Sequence, residues 1–393
     1  MSITIGLAGK PNSGKSTFFK SATMADVDIA NYPFTTISAN RGVTYVRTEC
    51  PCIELNHRCG NCVDGVRFVP VEVIDVAGLV PDAWKGRGLG NAFLDELRQA
   101  KVIIHVIDAS GSTDIEGNPV DRGSHDPLDD IEFLNHEITM WMYGILKRNW
   151  DSLSRKIKAE NLKLEEAIAN QLGGAGVSDH QVHEALVASE ISRDHVKWTD
   201  DNLVTLCDNI RAISKPVIVA ANKIDMAPEE NTKKLSDLDI IAVSTSSAAE
   251  FALKSASKSN VIKYLPGDDD FTIVSDGMTK AQKRGLEDLR EFLKKRGGTG
   301  VEDCINRAVF DSLDMVVVYP VEDENKWMDK KGRVLPDAYL MKKGSTPHDL
   351  AYQVHSDIGD HFLYAVDGRT RMRLGEKHKL DNGDVVKIVS SAK

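Results

Sequence analysis

The chain has 393 residues, two to three times the usual ~100–200 of a single domain, so two or three domains around a sizeable core are expected. With 41% hydrophobic and 27% charged residues, the composition excludes a wholly disordered, collagenous or disulfide-scaffold chain. A net charge of −10 argues against a surface that binds polyanions over its whole extent. The charge is uneven, however: residues 325–393 carry 13 basic against 9 acidic side chains, a balance of +4 that leaves −14 for the rest. No apolar run approaches the ~18 residues that span a bilayer, and Met1 to Gly9 lacks the succession of a secretory signal, so a cytoplasmic protein without a membrane span is expected.

Ile3 to Ala8 reads as a short buried strand that runs into Gly9-Lys10-Pro11-Asn12-Ser13-Gly14-Lys15-Ser16-Thr17 and then a helix with Phe18 and Phe19. Val69 to Val76, Val102 to Asp108, Pro216 to Ala221 and Ile240 to Ser244 read as further buried strands. Strands separated by helical stretches predict an α/β fold, a parallel sheet with helices on both faces. Between Asp108 and Pro216 the chain is too long for one crossover. Apolar residues from Ile131 to Ile168 advance mainly in steps of three and four, which predicts one long helix. Gly173, Gly174 and Gly176 break it, and Ser178 with Gln181 forms a capping box for a returning helix. Ala248 to Leu313 is largely helical in pattern, interrupted around Pro266-Gly267-Asp268. Met315 to Val321, Phe362 to Val366 and Val385 to Val389 read as strands, with a short helix from Ser345 and Pro347 through Tyr352. The expected division is therefore residues 1–127 with 200–312 as the α/β domain and its helical extension, 128–199 as an inserted helical hairpin, and 313–393 as a small α+β module.

Gly9 to Ser16 satisfies G-x-x-x-x-G-K-S after a strand and before a helix, the context this phosphate loop requires. Backbone amides of the loop and helix terminus face the phosphates, Lys15 reaches the β- and γ-phosphates, and the Ser16 hydroxyl ligates magnesium. Asp75-Val76-Ala77-Gly78 closes a strand, placing a carboxylate where magnesium would sit and offering the Gly78 amide to the γ-phosphate. Asn222-Lys223-Ile224-Asp225 follows another strand, and the Asp225 carboxylate can accept both the ring N–H and the exocyclic amino group of guanine. Adenine presents the opposite pattern, so GTP is expected over ATP.

With these motifs in this order, the sequence resembles the translation-factor-related GTPases, and more narrowly the Obg family in its YchF-like, archaeal-type branch. Asn31-Tyr32-Pro33-Phe34-Thr35-Thr36 is similar to the family's first switch, and Asp75 to Val80 with Gly86-Arg87-Gly88-Leu89-Gly90 to its second. Ser244-Thr245-Ser246 occupies the position of its final guanine-contacting loop, and Leu380-Asp381-Asn382-Gly383-Asp384-Val385-Val386 is similar to the end of TGS modules, which adopt a β-grasp fold. The resemblance implies a P-loop GTPase domain with an inserted helical hairpin and a TGS domain. It implies Lys15, Thr36 and Gly78 as catalytic groups, with Thr35 as the fallback for Thr36. It implies Ser16, Thr36 and Asp75 around magnesium, and Gly9, Asn12 to Thr17, Asn222, Lys223, Asp225 and Ser244 to Ser246 around the nucleotide. Many YchF-like proteins have lost the guanine-selecting aspartate and prefer adenine nucleotides, whereas Asp225 is intact here. Asn12 matches an asparagine that holds potassium in related cation-stimulated GTPases; the alternative is an ordinary loop amide. Leu79 stands where Ras-like GTPases carry the water-orienting glutamine and has no polar atom for that task.

Cys50, Cys52, Cys59 and Cys62 lie within thirteen positions in the pattern C-x-C-x6-C-x2-C, which fits either tetrahedral zinc or reduced structural thiols, with His57 a substitute ligand. Arg369, Arg371 and Arg373 alternate along an expected strand, so all three would share one side as a phosphate-facing ridge or a solvated polar face. The expected function is a magnesium-dependent GTPase switch that works with GTP and GDP on a ribosome or RNA assembly through the TGS domain. The rival readings are a P-loop phosphotransferase preferring ATP and a nucleotide-gated RNA-binding scaffold with negligible hydrolysis alone.

Overall fold

In a computed structural model of the chain, the described residues are 3–24, 40–55, 58–76, 78, 81–85, 96–275 and 277–391. Six strands form the larger sheet among them: β1 (Thr4–Ala8), β2 (Arg41–Glu49), β3 (Val66–Asp75), β4 (Val102–Asp108), β5 (Val217–Asn222) and β6 (Ala242–Ser244). Their order is β2-β3-β1-β4-β5-β6, with β2 antiparallel to β3 and the remaining pairs parallel. Strands β1 and β4 are buried along their whole length, which is why they read as continuous apolar runs. Strand β2 was not expected: its buried and half-buried residues alternate, but Arg41, Thr44, Arg47 and Thr48 hide the apolar signal.

Helix α1 (Lys15–Thr23) leaves the first loop, and α2 (Pro127–Lys147) is started by Asp126, whose carboxylate accepts the Leu128 amide, with Pro127 in the first turn. The long helix expected from Ile131 to Ile168 is instead three pieces: α2, α3 (Trp150–Glu160) and α4 (Leu164–Gln171). Asn161 ends α3 in the left-handed region at φ 52°, a conformation asparagine tolerates and a continuing helix does not. The apolar periodicity survives the breaks because all three pieces bury toward one core. The capping box of Ser178 and Gln181 does begin α5 (Asp179–Ala188), and α6 (Asp200–Ser214) follows. Leu134, Ile138 and Met142 of α2 share a core with Ile74 and Ile103 of the sheet and Leu203, Leu206 and Ile210 of α6.

Beyond β5 the chain forms α7 (Glu229–Ser236), α8 (Ser247–Lys258), the short hairpin β7 (Ile262–Lys263) and β8 (Thr272–Ile273), α9 (Lys280–Arg296) and α10 (Val301–Arg307). The interruption around Pro266-Gly267-Asp268 is the turn of that hairpin. The last section holds β9 (Met315–Val321), β10 (Tyr339–Lys342), α11 (Pro347–Val354), α12 (Ser356–Asp360), β11 (Phe362–Asp367), β12 (Arg373–Leu374) and β13 (Val385–Ser390). Its sheet runs β10-β9-β13-β11-β12, with β9 and β13 parallel and the other pairs antiparallel, and Leu350 and Ala351 of α11 stand against it. The α/β class with a C-terminal β-grasp sheet is thus the observed architecture. Thr346, capped reciprocally with Asp349, starts α11 one residue later than Ser345 suggested.

Candidate nucleotide site

Strands β1, β3, β4, β5 and β6 are parallel, so the loops after Ala8, Asp75, Asp108, Asn222 and Ser244 converge at one edge of the sheet. Gly14 sits at φ 93°, and a Cβ there would lie 2.2 Å from Asn222 Nδ2. That amide donates to the Ser13 carbonyl at 3.0 Å, while Asn222 Oδ1 accepts from the Ser247 amide at 3.0 Å and its hydroxyl at 2.8 Å. Asn222 therefore ties the first loop to the turn after β6, and only glycine at position 14 leaves room for it.

Lys223, also left-handed at φ 58°, sends Nζ to Asp108 Oδ2 at 2.9 Å. Burial would raise the Asp108 carboxyl, but hydrogen bonds from Ser110 and Lys223 hold it below the usual range. Asp225 is exposed and accepts from the Ser246 hydroxyl at 2.8 Å, so one buried serine aims the carboxylate while its remaining acceptor capacity faces solvent. Thr245 Oγ1 is buried without a partner. Ser244 is pinned from behind: Gly300 at φ 78° would place a Cβ 1.9 Å from its carbonyl oxygen, and the Ser246 amide donates to Thr299 O at 2.9 Å.

At the phosphate end, Lys15 Nζ pairs with Asp75 Oδ1, and Ser16 Oγ donates to Asp75 Oδ2 at 3.4 Å. A hydroxyl and a carboxylate are the hard oxygen donors that magnesium takes, so Ser16 and Asp75 fit that ion. Ser13 Oγ is fully buried in the loop and has no partner, an orphan polar atom of the kind a phosphate oxygen would satisfy. Thr17 lies half-buried in the first turn of α1, and Gly9 packs so closely on Val106 O that a Cβ would stand 2.4 Å away. Gly78 is exposed beside the ring of Pro11. Thr35, Thr36, Leu79 and the 86–90 stretch lie outside the described residues, as does His57.

The sequence did not disclose how the first loop is braced. Lys10 and Asp130 of α2 form an ion pair at 2.9 Å with side chains 1% and 2% exposed, and Lys10 also donates to Thr113 O at 2.8 Å. Burial pushes the Asp130 carboxyl up, offset by Lys10 and by His125, whose Nε2 lies 2.7 Å from Asp130 Oδ1. Asn12 Nδ2 donates to Gly117 O at 3.0 Å. Lys10 is a variable position of the P-loop pattern, and its partner lies 120 residues away, so no local signal marks the pair.

The expected arginine ridge is corrected. Arg369 does not share a strand face with Arg371 and Arg373: it grips Glu54, with Nε at 2.8 and 3.0 Å from its two oxygens and Nη2 at 2.6 Å, and donates to Gly383 O at 3.0 Å. Alternation fails because β12 spans Arg373–Leu374 alone, while Arg371 sits in a turn at φ 60°. Arg373 lies 3.9 Å from the centroid of the Tyr364 ring, a cation–π contact.

Three family models match the chain: 50S ribosome-binding GTPase over residues 4–136, the Obg-like GTPase YGR210-like, G4 motif-containing domain over 220–323, and the TGS domain over 330–390. Together with the strand-end loops they define a P-loop GTPase carrying a TGS domain. A GTP-binding protein of Methanocaldococcus jannaschii is 49% identical, the match covering 99% of each chain. The ribosome-binding ATPase YchF of Bacillus subtilis is 30% identical over 93% of this chain and 88% of its own. Among solved structures, a GTP-binding protein of Pyrococcus horikoshii matches with TM-score 0.80 at 42% identity, covering 99% of this chain and all 100% of the other. The YchF GTPase of Schizosaccharomyces pombe shares the fold, with TM-score 0.57 at 18% identity over 99% of this chain and 98% of its own. The chain belongs to the YchF-type, Obg-like GTPases.

Proposed function

We propose that this protein binds GTP and hydrolyses it to GDP and phosphate, and that it acts in the cytoplasm as a switch on the ribosome. The observation that carries this reading is the bond from Asn222 Nδ2 to the Ser13 carbonyl, at 3.0 Å, because it couples the phosphate loop to the purine-selecting segment at one sheet edge. Guanine selection rests on Asp225, exposed and aimed by Ser246. The B. subtilis relative is named an ATPase, but an intact aspartate at this position offers two acceptor directions to guanine and repels the acceptor pattern of adenine. That relative is also named ribosome-binding, which supports the ribosome as partner.

In the reaction, water attacks the γ-phosphorus and the bond to the β–γ bridging oxygen breaks, releasing phosphate and GDP. Lys15 turns from Asp75 to the β- and γ-phosphates, the amides of residues 13–17 hold the phosphate oxygens, and the Gly78 amide meets the γ-phosphate. Ser16 and Asp75, with Thr36, would hold magnesium, which neutralises charge developing on the phosphate oxygens. With Nδ2 bonded to Gly117 O, the Asn12 amide would offer its oxygen to a potassium ion, which would supply positive charge beside the phosphates, so rates should be higher in potassium than in matched sodium buffer. On the TGS domain, Arg371 and Arg373 remain exposed and are the cations offered to RNA.

Single-turnover cleavage of GTP with magnesium, with and without purified ribosomes, tests the reading. GDP should form, and Lys15→Ala should suppress it. A second reading is favoured by Leu79, which cannot orient water: a nucleotide-gated scaffold would show GTP-dependent cosedimentation with ribosomes and no cleavage under either condition.

A further inference from the structure

The connection from β2 to β3 lies at the end of the sheet away from the nucleotide loops, and nothing in the GTPase reaction uses it. It carries the four cysteines. Their sulfurs all fall within 4.8 Å of one another, with Cys50–Cys59 at 3.7 Å, Cys59–Cys62 at 3.5 Å and Cys52–Cys62 at 3.4 Å. Four thiolates at ~2.3 Å from a tetrahedral ion stand ~3.8 Å apart, so this is the spacing of a closed tetrathiolate centre. All four are free thiols. Cys50 and Cys52 flank Pro51, which opens a single 3-10 turn and brings a pair with one intervening residue to the same side. Cys59 and Cys62 span a tight turn with Gly60 at φ 75°, and the Asn61 amide donates to Cys59 Sγ at 3.4 Å, a bond that favours a thiolate acceptor.

The same loop is the surface on which the C-terminal domain is seated. Asn61 Nδ2 donates to Val334 O and Leu335 O, each at 3.3 Å, and Arg67, 5% exposed, donates to Leu335 O and Pro336 O, each at 3.2 Å. Cys50 and Cys52 share a core with Tyr319, Trp327, Val334 and Leu335. Trp327 and Leu335 both hold positive φ, 54° and 42°, a costly conformation for large side chains that persists only where surroundings impose it. Glu54, two residues past Cys52, is the carboxylate gripped by Arg369.

We propose that Cys50, Cys52, Cys59 and Cys62 bind one zinc ion, and that this centre fastens the C-terminal domain to the GTPase domain. The ion has a structural role: four protein sulfurs close its shell, leaving no position for water or substrate. Holding the cysteine turn fixes Asn61 beside Arg67 at the start of β3, the two partners of residues 334–336, so metal loading sets how firmly the C-terminal domain is carried.

The test uses the full chain, purified reduced, supplied with zinc and freed of loose metal. One zinc per chain is expected by mass spectrometry, and cobalt in its place should give the sulfur-to-cobalt charge-transfer band of a tetrathiolate site. Removing zinc from the unaltered protein with a strong chelator should abolish the amide-exchange protection of residues 327–336, while residues 102–108 of β4, paired on both sides within the larger sheet, keep theirs; re-addition should restore it. Cys59→Ser with Cys62→Ser should abolish stoichiometric zinc binding. A wild-type chain that takes up no zinc, or whose cysteines are recovered as disulfides under the same conditions, overturns the site. Zinc bound at one per chain, with 327–336 exchanging identically before and after chelation, overturns the fastening role. Since the chelation experiment needs no substitution, a variant that fails to fold leaves the proposal testable.

Discussion

Strand β3 has the nucleotide edge at one end and the cysteine seam at the other. Asp75 closes it, Cys62 stands just before Val66 opens it, and ten residues of strand put the two roughly 30 Å apart. The two regions are built in different ways. At the nucleotide edge the working groups come from short contiguous segments at strand ends, and the long-range contacts, Asn222 to Ser13 and Lys10 to Asp130, hold those segments together. At the seam the four sulfurs come from thirteen consecutive positions, but the contacts that join the domains are long-range: Asn61 and Arg67 reach residues some 270 positions later, through side chain to backbone bonds that carry no motif.

The comparison breaks most readily at Lys10. Lys10→Met leaves Asp130 buried beside His125 with no cation of fixed charge, and should cost about 3–5 kcal/mol of stability in denaturant titration, the range for breaking a buried pair. If the variant is as stable as the unaltered chain, the brace from α2 to the first loop is unimportant. Lys15→Ala should keep the fold and lower the rate of GTP cleavage by about 10²–10³-fold, as loss of one preorganised donor to developing charge does; the readout is single-turnover hydrolysis beside a thermal melt. Asp225→Ala should weaken GDP by about 10–100-fold, the worth of charge-assisted hydrogen bonds, and leave ADP no weaker, or tighter as the repulsion is removed, in titration calorimetry. At the seam, Arg369→Gln should change stability by less than about 1 kcal/mol, since Arg369 and Glu54 are 35% and 43% exposed and water screens the pair. A larger loss in denaturant titration would mean that the seam depends on this ion pair rather than on the cysteine turn and its half-buried sulfurs.

What could be read beforehand follows the same division. The phosphate loop, Asp75 and Asn222 to Asp225 were legible because each motif sits in consecutive residues after a buried apolar strand, and β4 was located to the residue for that reason. Strand β2 was hidden by its polar residues, and the supposed single helix after Ile131 by a periodicity that persists across Asn161. The arginine alternation misled because spacing two residues apart implies a shared face only inside a strand, and the chain turns at Arg371. Neither Lys10 with Asp130 nor Gly300 behind Ser244 could be seen, since each owes its place to a partner distant in sequence. The cysteine pattern was visible, but the convergence of four sulfurs against residues 334–336 was not.

The central claim is that this chain reads guanine, and the most direct measurement is competitive binding of GDP and ADP to the full-length protein in magnesium. The account predicts GDP held at least about 100-fold more tightly, because Asp225 accepts from both donors of guanine and is left unpaired by adenine. Equal affinities, or tighter binding of ADP, would contradict it.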